Sequence, residues 1–473
     1  MYLDTPPVPL GPVTSAAPRG GALLHGIGAR EGPTVIVGLG NTGLACAHFL
    51  TKRGVPVHVV DSRPEPPGLK DLSATLPDVP LTLGRLDEVL LGGAGVLIVS
   101  PGVGLTEPAI QRAAARGVPI AGDIELFAHE VAAPVVAITG SNGKSTVTAL
   151  LGEMARADGL EVRVGGNFGP PALTLLEQPG AELFVLELSS FQLESTASLR
   201  PAAAAVLNIS EDHLDRHRDL DSYAAVKQRI FCGDGAQVLN MDDARVANMR
   251  LPNRVVLGFT VGVPEEDVFG LLPRAGGAWL AKGRQPLLPA NALQIPGLVN
   301  IANALAALAL GEAIGLSMAA MRDALRRFKG LTHRLQHVAN VGGVDWYDDS
   351  KATNVGATVA AVASLGNAGR QLVVIAGGDG KGADFRPLRA AVADHVRGMV
   401  LMGRDAPRIE EAVRGRVRVL RAQDMAQACA QARELAEIGD AVLLSPACAS
   451  YDMYRDYRER GETFAALVRG LAP

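Results

Sequence analysis

The sequence predicts an α/β protein of three domains built on mostly parallel sheets. With 473 residues the chain is too long for a single hydrophobic core, and typical domain sizes suggest about three domains. Short apolar runs alternate with segments of helical periodicity along most of the chain. Glycine-rich or polar loops follow the apolar runs, as in doubly wound folds that bind ligands at the carboxyl ends of their strands.

Composition and charge exclude several classes of function. The net charge is −4, so no basic surface for nucleic acid is indicated. No apolar run is long enough to span a bilayer, and the N-terminus lacks the pattern of a secretory signal. The four cysteines have neither metal-ligand nor disulfide spacing, which fits a reducing compartment. We expect a cytoplasmic monomer.

Composition also suggests where the domains begin and end. Residues 1–32 are rich in proline and glycine without periodicity, and we predict a flexible N-terminal extension there. The predicted domains then span residues 33–132, 133–330 and 331–473.

The first domain opens with a strand, a glycine-rich turn and a helix. Val35–Val37 leads into the turn Gly38–Gly43, and a second strand ends in Asp61. This spacing has the form of the dinucleotide-binding fingerprint and predicts a Rossmann-like domain. Alone it is a weak signal, because a simple tight turn between strand and helix can look the same. A further strand, Val96–Val99, ends in another loop suited to ligand binding.

The second domain opens with a stretch that predicts a phosphate-binding loop. An apolar strand from Val135 runs into Gly140–Thr146 and then into an amphipathic helix. The glycines allow positive φ, Lys144 supplies a cation, and Ser145 or Thr146 offers a hydroxyl for Mg²⁺. The usual signature has a glycine where Ile138 stands, so an ordinary strand-to-helix turn is the alternative. We predict a central P-loop ATPase-type domain with a parallel sheet.

Two further features of the second domain suggest ligand contacts. Glu187 ends the strand Leu183–Leu186, where it could hold Mg²⁺ or be a solvated glutamate. The strand Ala203–Ile209 precedes a charged cluster that includes His213. Lys227, taken alone, reads as a surface lysine of a helix. Residues 262–296 predict a small β excursion, followed by helices at 300–314 and 317–328.

The third domain repeats the alternation of strands and helices, and we predict a Rossmann-like α/β domain. The predicted strands are Val344–Tyr347, Leu372–Ala376, Met399–Met402, Val417–Leu420 and Ala441–Leu444. The loops with functional residue types follow them at Asp348–Asn354, Gly377–Asp384, Gly403–Asp405 and Ser445–Ser450.

Several of these segments, taken in order, resemble the motifs of the Mur ligase family. They are Gly140–Thr146, Glu187–Gln192, Glu211–Arg216, Asn300–Asn303, His333–Arg334, Asp349–Asn354 and Ser445–Ser450. The resemblance extends from Thr34 to the C-terminus. It implies an ATP-dependent ligase of cytoplasmic peptidoglycan synthesis that forms an amide through an acyl phosphate. Within the family, the chain is most similar to members that add D-glutamate to UDP-N-acetylmuramoyl-L-alanine.

The resemblance implies roles around ATP and two Mg²⁺ ions. The catalytic residues it implies are Lys144, His213 and Lys227, with Lys227 carrying a CO₂-derived carbamate. The ATP contacts it implies are Gly140, Ser141, Asn142, Gly143, Lys144, Ser145, Thr146, Asn303, Arg334 and Asp349. The metal ligands it implies are Thr146, Glu187, His213 and the carbamate of Lys227, an anionic oxygen donor that suits Mg²⁺.

It also implies three groups of substrate contacts. The uridine and its phosphates are expected at Asn41, Thr42, Asp61, Ser62, Arg63, Ser100 and Gly102. The muramoyl-alanine part is expected at Asn167, Ser189 and Gln192. D-Glutamate is expected at Thr353, Lys381 and Ser450. Tyr457 stands where the family usually has phenylalanine, which adds a hydroxyl to that pocket.

Two other classes of function remain open from the sequence. A nicotinamide-dependent oxidoreductase would use Gly38–Gly43 and Asp61, but it gives Lys144 and the third domain no role. A non-catalytic nucleotide-binding module would not need Thr353, Lys381 and Ser450 opposite the phosphates.

Overall fold

The structure is a computed structural model that describes residues 20–212, 216–366 and 370–471. Three separate sheets follow one another along the chain, with five, nine and six strands. Most strand pairs are parallel and helices connect them, so the predicted α/β architecture is confirmed. Within the described ranges, no helix is both long and apolar enough to cross a membrane.

The first sheet is entirely parallel. Its strands are β1 (Thr34–Val37), β2 (Val57–Asp61), β3 (Leu81–Leu83), β4 (Val96–Val99) and β5 (Ile120–Ala121). Its helices are α1 (Gly20–Gly26), α2 (Asn41–Lys52), α3 (Leu69–Thr75), α4 (Glu88–Gly92), α5 (Pro108–Ala115) and α6 (Asp123–Glu130). The order is β3-β2-β1-β4-β5, so the fingerprint turn follows the central strand. β1 is buried throughout, as expected of a parallel strand covered on both faces.

The prediction of an irregular extension through residue 32 is wrong for its last part. α1 spans Gly20–Gly26, and Leu23 in it is 2% exposed within the core. Arg30 then donates to the carbonyl oxygens of Gly92, Ala94 and Arg116. The proline and glycine content of residues 1–32 gives no sign of this helix, which is too short to be stable without packing on the rest of the domain. Residues 1–19 lie outside the described ranges.

The second sheet combines a parallel part with an antiparallel hairpin extension. Its strands are β6 (Val135–Thr139), β7 (Val162–Gly166), β8 (Leu183–Glu187), β9 (Ala203–Val206), β10 (Ala236–Asn240), β11 (Val256–Phe259), β12 (Val268–Arg274), β13 (Gly277–Lys282) and β14 (Gln285–Pro289). Its helices are α7 (Lys144–Ala157), α8 (Ala172–Leu175), α9 (Ser190–Glu194), α10 (Leu220–Gln228), α11 (Ala244–Ala247), α12 (Leu298–Ala313) and α13 (Met318–Arg327). Short 3₁₀ turns lie at Arg229–Phe231 and Ala290–Ala292.

Strand order places the phosphate-loop strand between two strands with functional ends. The order is β14-β13-β12-β11-β10-β9-β6-β8-β7, so β6 lies between β8 and β9. β12, β13 and β14 form the predicted small β excursion. β9 ends at Val206, earlier than predicted, and the chain beyond it turns to meet the phosphate loop.

The third sheet is parallel except at one edge. Its strands are β15 (Gln336–Val341), β16 (Val344–Asp348), β17 (Leu372–Gly377), β18 (Val396–Met402), β19 (Arg418–Arg421) and β20 (Ala441–Leu444). Its helices are α14 (Val355–Gly366), α15 (Arg386–Ala391), α16 (Ala406–Val413), α17 (Met425–Leu435) and α18 (Tyr457–Leu471). The order β15-β16-β20-β17-β18-β19 brings the ends of β16, β20 and β17 side by side.

β15 is a strand that the sequence analysis missed. It forms an antiparallel hairpin with β16 through Gly342 and Gly343, whose φ values are 61° and 83°. A two-residue turn with both residues at positive φ is the form that hairpins favour. The Gly-Gly pair was therefore a usable signal for this strand.

Candidate active site

The strand ends of all three sheets border one cavity of about 800 Å³. The first sheet contributes Asn41, and the second contributes the phosphate loop with Glu187 and Lys227. The third sheet contributes residues that follow β16, β17 and β20. This is the arrangement predicted for doubly wound domains, in which ligands bind at the carboxyl edge.

The phosphate loop is hydrogen-bonded to the segment that follows β9. The backbone N–H of Ser141 donates to the carbonyl oxygen of Asn208 at 2.9 Å. The side chain of Asn208 accepts from Asn142 N at 2.8 Å and donates to Asn142 O at 3.0 Å. Asn208 was not among the predicted site residues, because the sequence places it inside the predicted strand Ala203–Ile209.

The departure from the usual signature has a structural explanation. Ile138 is fully buried within β6, where it pairs with residues of β8 and β9, so the turn starts only at Gly140. Gly140 and Gly143 have φ values of 150° and 86°. A Cβ on Gly143 would also collide with the amide oxygen of Asn303. Glycine is therefore required there both for backbone conformation and for space.

Lys144 lies at the mouth of helix α7 and points back over the loop. Its Nζ donates to the carbonyl oxygens of Gly140 and Ser141 at 2.8 and 2.9 Å. Burial lowers its pKa, while the carboxylates of Glu187 and Asp212 oppose that shift. A cation beside a glycine-rich loop at a helix N-terminus is suited to bind a phosphate chain.

Glu187 has the features of a cation ligand. It is 2% exposed, and its Oε1 accepts from the Asn167 side-chain amide at 2.6 Å. Its Oε2 is buried and has no hydrogen-bond partner among the described residues. A buried carboxylate oxygen without a partner is costly, and a bound cation would satisfy it. The solvated alternative is therefore wrong, and these residues fit Mg²⁺.

The described residues contain no ready-made cluster of three or more His, Cys, Asp or Glu side chains that could hold a metal. His213 lies outside the described residues, so its role as a metal ligand stays a prediction. Thr146 is 5% exposed at the start of α7 and borders the small cavity behind the loop. Glu187 and Thr146 line different cavities, so their joint role as metal ligands also stays a prediction.

Lys227 is buried beneath the phosphate loop, so its interpretation as a surface residue is wrong. It is 1% exposed, and its Nζ donates to Gly140 O at 2.9 Å and to Thr139 Oγ1 at 3.3 Å. Burial, followed by the charge of Lys144, lowers its pKa well below the ordinary lysine value. The neutral amine is thereby favoured.

Residues of the third domain reach across to the loop. Arg334 Nη2 donates to Ser145 Oγ at 2.6 Å. Arg334, Asn303 and Asp349 border a small cavity of about 70 Å³ together with loop residues. Asp349 accepts from Leu335 N and from Ser445 Oγ, and burial raises its pKa to about 7. The predicted nucleotide contacts therefore lie together at one side of the loop.

The seven predicted uridine-site residues line one cavity of about 380 Å³ in the first domain. They are Asn41, Thr42, Asp61, Ser62, Arg63, Ser100 and Gly102. Asp61 accepts from Leu39 N at 2.7 Å and from Arg63 Nη2 at 2.7 Å. These hydrogen bonds and the Arg63 charge outweigh desolvation and lower the pKa of Asp61. Asp61 thus stabilises the turn as an ionised group.

Two of the three residues expected at the muramoyl-alanine part line the large cavity. They are Asn167 and Ser189. Gln192 instead lies behind Ser189, 3% exposed, which corrects the expectation that it faces substrate. Its Oε1 accepts from Ser189 N at 3.1 Å in a capping box, and its Nε2 donates to Asp123 Oδ2 at 3.0 Å. The Ser-x-x-Gln spacing was the missed signal.

The four residues expected at the glutamate site all line the large cavity: Thr353, Lys381, Ser450 and Tyr457. The Tyr457 ring lies under Lys351 Nζ at 4.1 Å, and its hydroxyl accepts from Arg458 Nε at 3.4 Å. Lys351 was missed, although it lies within a motif loop. Burial lowers its pKa to about 8. Asn354, also missed, donates to Asp212 Oδ2 at 3.0 Å and links the second and third domains.

Taken together, these features define a nucleotide-dependent enzyme in which a phosphate loop faces a cation-rich cavity closed by a third domain. Family models match successive parts of the chain. "Mur ligase MurD-like, N-terminal domain" matches residues 32–122, "Mur ligase middle domain" matches 138–311, and "Mur ligase, glutamate ligase domain" matches 333–448.

Relatives and solved structures agree with these models. Proteins named UDP-N-acetylmuramoylalanine--D-glutamate ligase from Nitrosococcus oceani and Marinobacter nauticus are 55% and 53% identical over 93% of this chain and 96% and 98% of theirs. The crystal structure of MurC from Thermotoga maritima has a TM-score of 0.58 at 18% identity, covering 93% of this chain and 99% of that one. MurF from Acinetobacter baumannii has a TM-score of 0.58 at 17% identity, covering 98% and 99%.

The chain belongs to the Mur ligase family, whose members are ATP-dependent ligases. Family membership confirms the resemblance inferred from the motifs. It also removes the nicotinamide-dependent oxidoreductase, because the fingerprint turn belongs to the N-terminal domain of a Mur ligase.

Proposed function

We propose that this Mur ligase joins D-glutamate to UDP-N-acetylmuramoyl-L-alanine at the expense of ATP, in cytoplasmic peptidoglycan synthesis. The curated relatives that share about half of its residues carry that activity in their names. One structural observation carries the proposal. The phosphate loop and the expected glutamate residues Thr353, Lys381 and Ser450 border the same cavity.

The first chemical step requires two anions to approach each other. An oxygen of the precursor carboxylate attacks the γ-phosphorus of ATP, the bond to the bridging oxygen breaks, and ADP leaves. In this proposal Lys144 and Arg334 offset the charge of the phosphates, which is supported by the place of Lys144 on the loop and by the hydrogen bond of Arg334 to it. Bound Mg²⁺ would add further neutralisation of the phosphate oxygens, with Glu187 and Thr146 as ligands.

The second step forms the amide. The amine nitrogen of glutamate attacks the carbonyl carbon of the acyl phosphate, and the tetrahedral intermediate expels inorganic phosphate. The third domain contributes by orientation. Lys381 can pair with a carboxylate of glutamate, while the hydroxyls of Thr353 and Ser450 can donate to one. Holding both carboxylates fixes the direction of the amine, so one enantiomer should react far faster. The relatives' names favour the D form.

Carbamylation of Lys227 is part of the proposal. CO₂ reacts with a neutral amine, and the lowered pKa of Lys227 favours that form. An ammonium at this position would repel Mg²⁺, whereas a carbamate oxygen would bind it. The second Mg²⁺ is proposed at this carbamate and His213. Protein in ¹³CO₂ should give a carbamate carbon signal that Lys227→Ala lacks. Absence of this signal from the wild type would remove the carbamate.

Phosphate release tests the function directly. We expect rapid release only when ATP, Mg²⁺, the precursor and D-glutamate are all present. Release without glutamate would indicate a nucleotidase, and no release in any mixture would support a module that only binds nucleotide. Faster ligation of L-glutamate would contradict the proposed stereochemistry, and Tyr457 would be the first residue to re-examine. We also propose a monomer, which light scattering during turnover can check.

A further inference from the structure

Arg460 is a buried arginine outside the machinery described above. It lies near the start of α18 and is 2% exposed. Its Nε donates to Ser350 Oγ at 3.0 Å, its Nη2 to Ser350 O at 2.8 Å, and its Nη1 to Cys448 O at 3.1 Å. All three acceptors are uncharged oxygens. Burial lowers the pKa of Arg460 to about 10.

Burial of this cation is costly, and the nearby carboxylates of Asp452 and Asp348 oppose the fall in its pKa only in part. Hydrophobic packing could fill the same volume at lower cost, so stability alone does not account for this residue. Its hydrogen bonds instead connect two separate loops. Ser350 belongs to the loop after β16 that carries Thr353, and Cys448 belongs to the loop after β20 that carries Ser450.

The same loops are hydrogen-bonded to α18 and to the segment just before it. Ser350 Oγ donates to Tyr457 O at 2.8 Å, and the backbone N–H of Tyr454 donates to Ser450 O at 2.8 Å. The loop after β20 also contains Ala447 at a φ of 59°, a conformation that alanine adopts only when the surroundings impose it. Thr353, Ser450 and Tyr457 line the large cavity, whereas Arg460 does not.

We propose that Arg460 is a positioning residue for the amino-acid site. Its guanidinium fixes the separation between the loop that carries Thr353 and the loop that carries Ser450. That separation sets the distance at which the two carboxylates of the incoming amino acid are held, and through it the aim of the amine. The inference rests on the proposed function for the identity of that amino acid. The planar guanidinium uses three N–H donors to hold the two loops, and a lysine ammonium cannot reproduce that geometry.

Arg460→Lys tests the proposal, because it keeps the charge and loses the fork. We expect the KM for D-glutamate to rise about tenfold, the value of one or two lost hydrogen bonds. The KM values for ATP and for the precursor should change by less than about twofold. An unchanged KM for D-glutamate would overturn the proposal. An equal rise in all three KM values would also overturn it, because it would indicate general loosening.

Two further variants keep the test decisive. Arg397→Lys is the matched control, since Arg397 lies in the same domain and pairs with Asp440 at 2.6 Å, away from both loops. It should leave the KM for D-glutamate unchanged. Ser350→Ala removes one acceptor of the Arg460 fork with little change in volume, and it replaces Arg460→Lys if that variant unfolds. It should raise the same KM about threefold.

The wild-type assay separates this inference from the proposed function. If the wild type does not ligate D-glutamate, the proposed function fails. If it does, and the variants keep the wild-type KM, only the role of Arg460 fails.

Discussion

The chain passes from a buried parallel strand into a helix through a glycine-rich turn at two places that invite comparison. One turn follows β1 and leads into α2, and the other follows β6 and leads into α7. Both use glycine at positive φ, with values of 96° at Gly38 and 86° at Gly143. Both open a cavity at the N-terminus of a helix, where backbone N–H groups and the helix dipole favour anions.

The two turns differ in the charges placed around them. The first is supported by Asp61, whose carboxylate is occupied by Leu39 N and Arg63. The second is bordered by the cations Lys144 and Arg334, and the buried amine of Lys227 lies beneath it. The backbone shape of both turns is therefore suited to phosphate. We expect the added cations Lys144 and Arg334 to distinguish a site of phosphate transfer from a site that only holds phosphate.

The largest expected effect is at the second turn. Lys144→Ala should reduce ligation by about 10³-fold or more, because it removes the cation that faces the transferred phosphate. Thermal unfolding should change little. Lys52→Ala is the matched control, since Lys52 is a surface lysine whose nearest carboxylate is Glu177 at 3.6 Å. Near-normal phosphate release by Lys144→Ala would contradict the role of the cations at the second turn in phosphate transfer.

Lys227→Ala should reduce ligation by about 10²-fold or more, because an anionic ligand of the metal would be lost. A short carboxylic acid such as formate should restore part of the rate by occupying the vacated volume. The same acid should not rescue Lys144→Ala, since that variant lacks a cation. Full activity of Lys227→Ala without added acid would return this residue to a structural role.

Gly43→Ala tests whether the backbone shape of the first turn requires glycine. A Cβ on Gly43 would collide with the carbonyl oxygen of Gly38 and would lie 2.9 Å from Ser100 Oγ. We expect the free energy of unfolding to fall by about 1–3 kcal/mol, as for other overpacked sites. Gly40→Ala is the control, because nothing lies within 4 Å of its Cβ. Equal thermal unfolding of the two variants would contradict the close contact.

Arg63→Ala should have the smallest effect on the rate. Arg63 helps to hold Asp61 and borders the cavity of the first turn. Its loss should raise the KM for the nucleotide precursor about tenfold and leave kcat within about twofold, because the contact is equal in ground and transition states. A fall in kcat comparable to that of Lys144→Ala would mean that the two turns do not divide binding and chemistry.

The order of elements could be predicted from sequence, because strand ends and turn residues are local patterns, whereas the individual cavity residues were mostly predicted from the resemblance to a family. The ends of β6, β8, β16, β17 and β20 all carry the residues expected there. Features that depend on contacts between distant segments could not be predicted. The residue pattern of α10 does not reveal that Lys227 is buried, because the phosphate loop that covers it lies 87 residues away in sequence.

Two other features that were not predicted have signals in the sequence. The Ser189–Gln192 capping box and the Gly342–Gly343 hairpin have local signatures. The buried fork of Arg460 has none, since its partners lie 110 and 12 residues away. Hydrogen bonds of this kind become visible only when the third sheet and α18 are packed together.

The proposed reaction requires transfer of a phosphoryl group from ATP to the precursor carboxylate before the amide forms. Precursor labelled with ¹⁸O in both carboxylate oxygens tests this directly in a complete reaction with ATP, Mg²⁺ and D-glutamate. An acyl phosphate requires one labelled oxygen to leave with each inorganic phosphate, detectable as a shift in the ³¹P signal. Unlabelled phosphate, with amide still formed, would contradict the account, because the carboxylate oxygen would not have been bonded to phosphorus.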